Sequence, residues 1–277
     1  MMRSEMSPPN HDRQQTLSIC MFASFRVLRN GEPIDRELGT KSAQLLKILT
    51  ANRSKCLPKD LLMEMIWPQT SPAAAATSLK VAAHKLRHAL DPDRRTGSSG
   101  NWIIVDRGTY RLNPNAEIWI DTEYFRNHYE KGRALFASGS DAAARRELEM
   151  AEEVYRGDYL EEDVYEDWTV GCREELRDLY LDTVGRLATL ALQREAHEDV
   201  IRYCHKIVAA DPCREDAYRM LMRSHGALNQ VGRAGSWYAV CRLALQREIG
   251  SSPSTETTLA FEELFADREP QPRLRTA

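Results

Sequence analysis

The 277 residues hold no apolar run near the ~20 needed to cross a bilayer, and the opening MMRSEMSPPNHDRQQ has no apolar signal-peptide core. A membrane partner is therefore not expected, and the chain reads as cytoplasmic. Six cysteines (Cys20, Cys56, Cys172, Cys204, Cys213, Cys241) include no C-x-x-C pair, which argues against a disulfide framework and a zinc knuckle. Most of them read as small buried apolar groups. No G-x-x-x-x-G-K-[ST] occurs, so no P-loop nucleotide site is expected. The acidic run YLEEDVYEDW offers paired carboxylates, yet no nucleophile or oxyanion motif accompanies it and its spacing is not that of an EF-hand loop. It reads as a solvated or interdomain segment. No catalytic residue, cofactor or metal is expected.

What is present is 42% hydrophobic and 29% charged residues, the balance of a globular chain long enough for two domains. The net charge of −3 conceals a split. Through Asn115 there are 17 Lys and Arg against 10 Asp and Glu; after it there are 21 against 31. A basic module fused to an acidic one points to a polyanion as the partner of the first part and not of the second.

TLSICMF and SFRVLRN are short β-type runs, with a turn at Asn30–Glu32. Leu45, Leu46, Ile48 and Leu49 mark a first helix. Leu61, Leu62, Met65 and Ile66 mark a second, entered at Pro58 and stopped at Trp67-Pro68. A third helix follows in SLKVAAHKLRHAL and ends at the polar segment DPDRRTGSSGN. WIIVDRGTYRL then reads as two strands joined at Arg107-Gly108-Thr109. Sheet, three helices and a hairpin are the parts of a winged helix-turn-helix.

Beyond about Trp119 strand signals vanish. A first helix pair spans Thr122 to about Tyr155, and another helix follows Trp168. Two further pairs of roughly the ~34-residue TPR length come next, with Ala188, Val200, Pro212, Ala234 and Tyr238 near the repeat's characteristic positions. Gln246 stands where a repeat proline would be, so the match is degenerate. Tyr155, Tyr159 and Trp168 are expected in the helical core. The fold class is thus an α+β N-terminal winged helix-turn-helix domain followed by an all-α TPR-like helical-repeat domain. Residues 1–16 form a disordered leader, 17–115 the winged helix, 116–266 the helical domain and 267–277 a polar tail.

At ~100° per residue, Leu79, Ala82, Ala83, Leu86 and Leu90 share one side of the third helix, while Thr77, Lys80, Val81, His84 and His88 centre on the other. Lys85 and Arg87 flank that second face. Long cations at the edges suit phosphates, shorter groups suit base edges, and Val81 suits a thymine methyl. The candidate DNA-binding set is Thr77, Ser78, Lys80, Val81, His84, Lys85, Arg87 and His88, with Arg107 and Thr109 of the hairpin. His84 and His88 stand four apart but lack a third ligand, so metal is set aside.

Trp67-Pro68, KLRHAL and RGTYRL together resemble the OmpR/PhoB-type winged helix. YRGDYLEEDVYEDW, REELRDLYLD, ADPCREDAYRMLMR and LQREIGSSPSTET resemble the bacterial transcriptional activator domain. In this order, over Leu17–Leu264, the chain resembles the Streptomyces antibiotic regulatory protein (SARP) family of activators. That resemblance implies a transcription activator that binds double-stranded promoter DNA at direct repeats and contacts RNA polymerase, including its σ subunit, with self-association on DNA left open. It implies no enzymatic activity. By motif position, His84, Lys85 and Arg87 match DNA-contacting positions, and Arg107 with Thr109 matches the wing. Ala76-Thr77 stands where the family often has Arg-Asn, and Thr109 where it often has Gly, so an operator does not carry over from relatives. No ATPase region or receiver domain fits the chain. The alternative is a TPR-type protein-interaction adaptor or ligand sensor with a degenerate winged module.

Overall fold

Buried, alternating Leu17 and Ile19 open the sheet in the computed structural model, which describes residues 16–92 and 102–266. Most of the expected leader, most of DPDRRTGSSGN and the polar tail lie outside the described residues. β1 (Leu17–Cys20) pairs antiparallel with β2 (Arg26–Arg29), which pairs with the two-residue β3 (Glu32–Pro33). Asn30 and Gly31 join these last two with φ of 52° and 83°, the left-handed pair that a two-residue hairpin turn needs. The fourth strand is β7 (Ile118–Ile120), which lies parallel to β1 with Leu17 opposite Ile118 and Ile19 opposite Ile120. Strand signals were expected to fade by Trp119. The apolar pair Ile118 and Ile120 is too short to announce a strand, and only the exposed edge of β1 gives it a partner.

α1 (Thr40–Ala51), α2 (Lys59–Ile66) and α3 (Pro72–Leu90) follow the expected order. A second sheet, β4-β6-β5, pairs β4 (Leu57–Pro58) with β6 (Thr109–Leu112), and β6 with β5 (Ile103–Asp106). Leu45, Ile48, Leu62, Ile66, Leu79 and Leu86 are each at most 1% exposed and make the core beneath α3.

Seven helices complete the described chain: α4 (Asp121–Ala137), α5 (Asp141–Val154), α6 (Asp167–Gln193), α7 (His197–Ala210), α8 (Glu215–Ala227), α9 (Val231–Ile249) and α10 (Thr255–Ala266). From α7 to α10 each helix packs on its neighbour in the chain, and α10 also returns onto α8. Ala188, Val200 and Ala234 are fully buried, consistent with small side chains at helix crossings. Tyr238 stacks on Phe261 with ring centroids 4.2 Å apart. Tyr155 stacks on Tyr180 at 4.0 Å, as expected of a helical core.

By packing, the chain forms two units. One takes residues up to Tyr124 together with Arg156–Val170; the other takes Phe125–Tyr155 and the chain from Gly171. The acidic segment therefore packs with the winged helix. The Ala23 N–H donates to the Asp158 carbonyl at 2.8 Å, Leu160 N–H to Met21 at 2.8 Å, and Glu161 N–H to Ala23 at 3.1 Å. Lys47 meets Asp163 at 2.5 Å. This corrects the placement of Tyr159 and Trp168 in the helical core. Tyr159, 2% exposed, is bridged to Phe22, and Trp168 donates its indole N–H to Glu166. Cysteine burial also needs correction. Only Cys204 and Cys241 are buried, Cys56 is exposed, and the rest are half-buried.

Where β7 passes into α4, the carboxylate of Asp121, 3% exposed, accepts the N–H groups of Met21 at 2.8 Å and Phe22 at 2.9 Å. It also accepts the Thr122 N–H at 2.7 Å. Burial nevertheless pushes this carboxyl from 3.8 up to about 6 against the pull of those donors. A carboxyl raised on folding favours the native state most below its ordinary pKa, and that contribution is lost as pH climbs through about 6. Asp121→Asn, which turns an NH2 toward backbone donors, is expected to cost about 1–3 kcal/mol near pH 5. The stability gap between wild type and D121N should narrow from about pH 5 to about pH 7, as urea unfolding across that range would read out.

Candidate nucleic-acid interface

α3 begins at Pro72, whose missing N–H costs nothing in a first turn, and runs 19 residues without a carboxylate. Ala75, Leu79, Ala82, Ala83, Leu86 and Leu90 are buried against α1 and α2. The Ser42 hydroxyl donates to the Ala82 carbonyl at 3.1 Å, fixing α3 against α1. Because the inward stripe is set by these residues, the rest of the helix is turned out.

Thr77, Lys80, Val81, His84, Lys85 and His88 are exposed, and Ser78 is half-buried. Val81 is 49% exposed, a β-branched apolar group among cations and imidazoles. Thr77 donates its hydroxyl to the Ala73 carbonyl at 3.1 Å, which leaves its oxygen as an acceptor beside its methyl. Arg87 differs from the others. It is half-buried, and its guanidinium donates to the Ile103 carbonyl at the start of β5, 3.4 Å away. Arg87 thus ties α3 to the hairpin, a role invisible from KLR alone.

The hairpin tip is Arg107-Gly108, with φ of 45° and 81°. Two successive left-handed residues are what a tight two-residue turn demands, and Gly108 meets the demand without strain. Thr109 stands outside that left-handed pair, and its hydroxyl closes the turn onto the Asp106 carbonyl at 2.7 Å. A threonine in place of the family's glycine is therefore accommodated. Arg107 is exposed at the tip, and Thr109 is half-buried below it. The Lys59 N–H donates to the Gly108 carbonyl at 2.8 Å, and β4 pairs with β6, so the hairpin is held at the start of α2.

That contact reveals a cation the sequence reading missed. Lys59 is exposed beside the turn, its Cδ 3.8 Å from where a Gly108 Cβ would stand. Nearly 50 residues separate it from Arg107, and only the β4–β6 pairing brings the two to one place. Among the described residues no cluster of three or more metal-ligating side chains occurs, and no helix is long and apolar enough to cross a membrane.

Residues 120–265 match the bacterial transcriptional activator domain, and residues 32–112 match the C-terminal domain of transcriptional regulatory proteins. The regulatory protein AfsR of Streptomyces coelicolor is 23% identical over 249 residues, which cover 89% of this chain and 24% of AfsR. The transcriptional regulatory protein MoaR1 of Mycobacterium tuberculosis is 25% identical over 218 residues, 78% of this chain and 70% of MoaR1. The chain thus spans about a quarter of AfsR. The solved structure of Mycobacterium tuberculosis EmbR in complex with a low-affinity phosphopeptide is similar over 93% of this chain and 67% of that one, with a TM-score of 0.74 at 19% identity. That likeness is one of fold.

Arg87→Ala is expected to lower stability by about 1–2 kcal/mol through loss of its packed stem and its bond to Ile103. Lys85→Ala, on the open face, should leave stability within about 0.5 kcal/mol. Thermal unfolding of the two variants beside wild type checks the difference.

Proposed function

This chain belongs to the bacterial transcriptional activator domain family as a SARP-type regulator, and we propose on that premise that it activates transcription by binding promoter DNA at direct repeats and contacting RNA polymerase, including its σ subunit. The observation that carries the DNA-binding part is the α3 surface: a carboxylate-free helix whose exposed side presents Lys80, Val81, His84, Lys85 and His88, beside a hairpin held by Arg87 and Lys59.

The width of a major groove admits one α-helix, and α3 is the helix whose outer face carries both cations and short polar groups. Lys80 and Lys85 neutralise phosphates along its edges. Val81, His84 and His88 meet base edges, and Thr77 and Ser78 lie nearer the helix N-terminus, where the chain enters the groove. Arg107 approaches the minor groove or its phosphates from the hairpin tip, with Lys59 behind it. Arg87 positions the hairpin through Ile103 and flanks the outward face. Polymerase contact rests on the family resemblance.

Each phosphate contact contributes about 0.9 to the log–log salt slope of binding. Lys85→Ala and Arg107→Ala are each expected to weaken operator binding and to lower the slope by roughly that amount, with sequence preference retained. Val81→Ala is expected to leave the slope unchanged and to relax discrimination at one thymine by about 1 kcal/mol. Mobility shifts on operator variants at several salt concentrations measure all three. Unchanged affinity in both cation variants would remove the assignment. The adaptor alternative predicts no selective retention of genomic fragments at ~150 mM salt, where nonspecific electrostatic binding is weak.

A further inference from the structure

DNA recognition leaves several exposed apolar side chains unused, and two groups of them lie one in each unit. The first is a groove between α7 and α9, with about 560 Å3 of free volume, lined chiefly by Val208, Ala209, Trp237, Val240, Leu243 and Ala244. Val240 is 42% exposed and Leu243 65%, so the floor is open to water. Arg233, Trp237, Val240, Ala244 and Arg247 recur at helical spacing along α9, which brackets the apolar stretch with two guanidinium groups. Arg233 lies near His205 on the facing wall. Burial, then His225 and Arg233, hold that imidazole below its ordinary pKa. At the other end Arg247, with an 85% exposed side chain, lines the groove together with Glu248, 3.5 Å from it.

The second feature is the turn Glu161–Asp167. Its tip is Val164, 52% exposed, and Tyr165, 95% exposed, an aromatic ring held almost wholly in water. Five carboxylates and no cation surround this pair in EEDVYED. The base of the turn is fixed: Asp163 on Lys47 at 2.5 Å, Glu166 on Gln44 at 3.1 Å and on the Trp168 indole at 3.1 Å, and Glu161 on the Asp158 N–H at 2.8 Å. Glu162 and Asp167 stay exposed on either side of the tip. A tip already held in shape loses little conformational freedom when it is buried, and tyrosine is a residue type that dominates protein contacts.

The two features are complementary in shape, in polarity and in sign of charge. One is an apolar knob between carboxylates, and the other is an apolar groove between arginines. We propose that the Val164–Tyr165 knob of one copy seats in the α7/α9 groove of a second copy, with Glu162 and Asp167 set against Arg233 and Arg247. Unlike surfaces meet in this contact, so each copy offers one knob and one groove, and an open row ends in one free surface of each kind. The contact does not rest on the DNA-binding reading.

The test is sedimentation velocity of the full chain without DNA over the micromolar range. Wild type is expected to sediment faster as concentration rises, and less so at high salt. Tyr165→Ala and Leu243→Glu should each weaken self-association by at least tenfold. An equimolar mixture of the two should restore a species of two copies and no larger one, because Y165A keeps its groove and L243E keeps its knob. Restoration also shows that both variants are folded. A wild type that stays monomeric, single variants that associate as wild type does, or a mixture that fails to pair would each overturn the proposal. So would loss in L243E alone, since that outcome means groove meets groove. With no DNA present, none of these results bears on the DNA-binding reading.

Discussion

Burial of Leu79, Ala82, Ala83, Leu86 and Leu90 is the constraint on which the candidate interface depends. A helix of 3.6 residues per turn has one orientation that hides this stripe against α1 and α2, and that orientation decides which side chains face outward. The outward side carries Lys80, Val81, His84, Lys85 and His88, with no carboxylate anywhere along α3 to oppose an incoming phosphate. The same packing exposes Val81, an apolar group of the kind that suits a base methyl. Core stability and interface composition are thus two sides of one helix.

The hairpin has its own physical requirement. Its tip needs two left-handed residues in succession, supplied by Arg107 and Gly108, and its position needs anchors outside the hairpin. Those anchors are Arg87 from α3, the Lys59 N–H from α2 and the β4–β6 pairing. A two-stranded hairpin alone is marginal in water. Joined at three points, it is held beside the helix it accompanies, with Arg107 exposed at its tip.

Charge is arranged on a larger scale as well. The acidic segment lies in the half of the sequence with net negative charge, yet it packs with the basic unit, anchored through Lys47 and through backbone bonds to Met21 and Ala23. That packing uses Asp163 and Glu166 internally and leaves Glu162, Asp167, Val164 and Tyr165 outward. A carboxylate-rich surface repels DNA and favours a cationic neighbour.

Much of this architecture is local in origin and was legible in the residues. The helical period of SLKVAAHKLRHAL gave the α3 faces, Asn30-Gly31 and Arg107-Gly108 marked turns, and the helix pairs after Thr122 showed their 3.6-residue period. Each of these signals lies within a dozen or so neighbouring residues. What the residues alone did not disclose depends on partners far along the chain. β7 exists because β1 offers it an edge, Arg87 turns inward because β5 lies beside it, and Lys59 joins the hairpin through a two-residue strand. Tyr159 and Trp168 belong with the first unit because Phe22, Met21 and Ala23 bind the segment that carries them. Periodicity reports which way a side chain faces relative to its own helix or strand. Only the folded chain decides what stands opposite it, since long-range pairing is selected by the sum of burial and hydrogen bonding over the whole unit and not by any one segment.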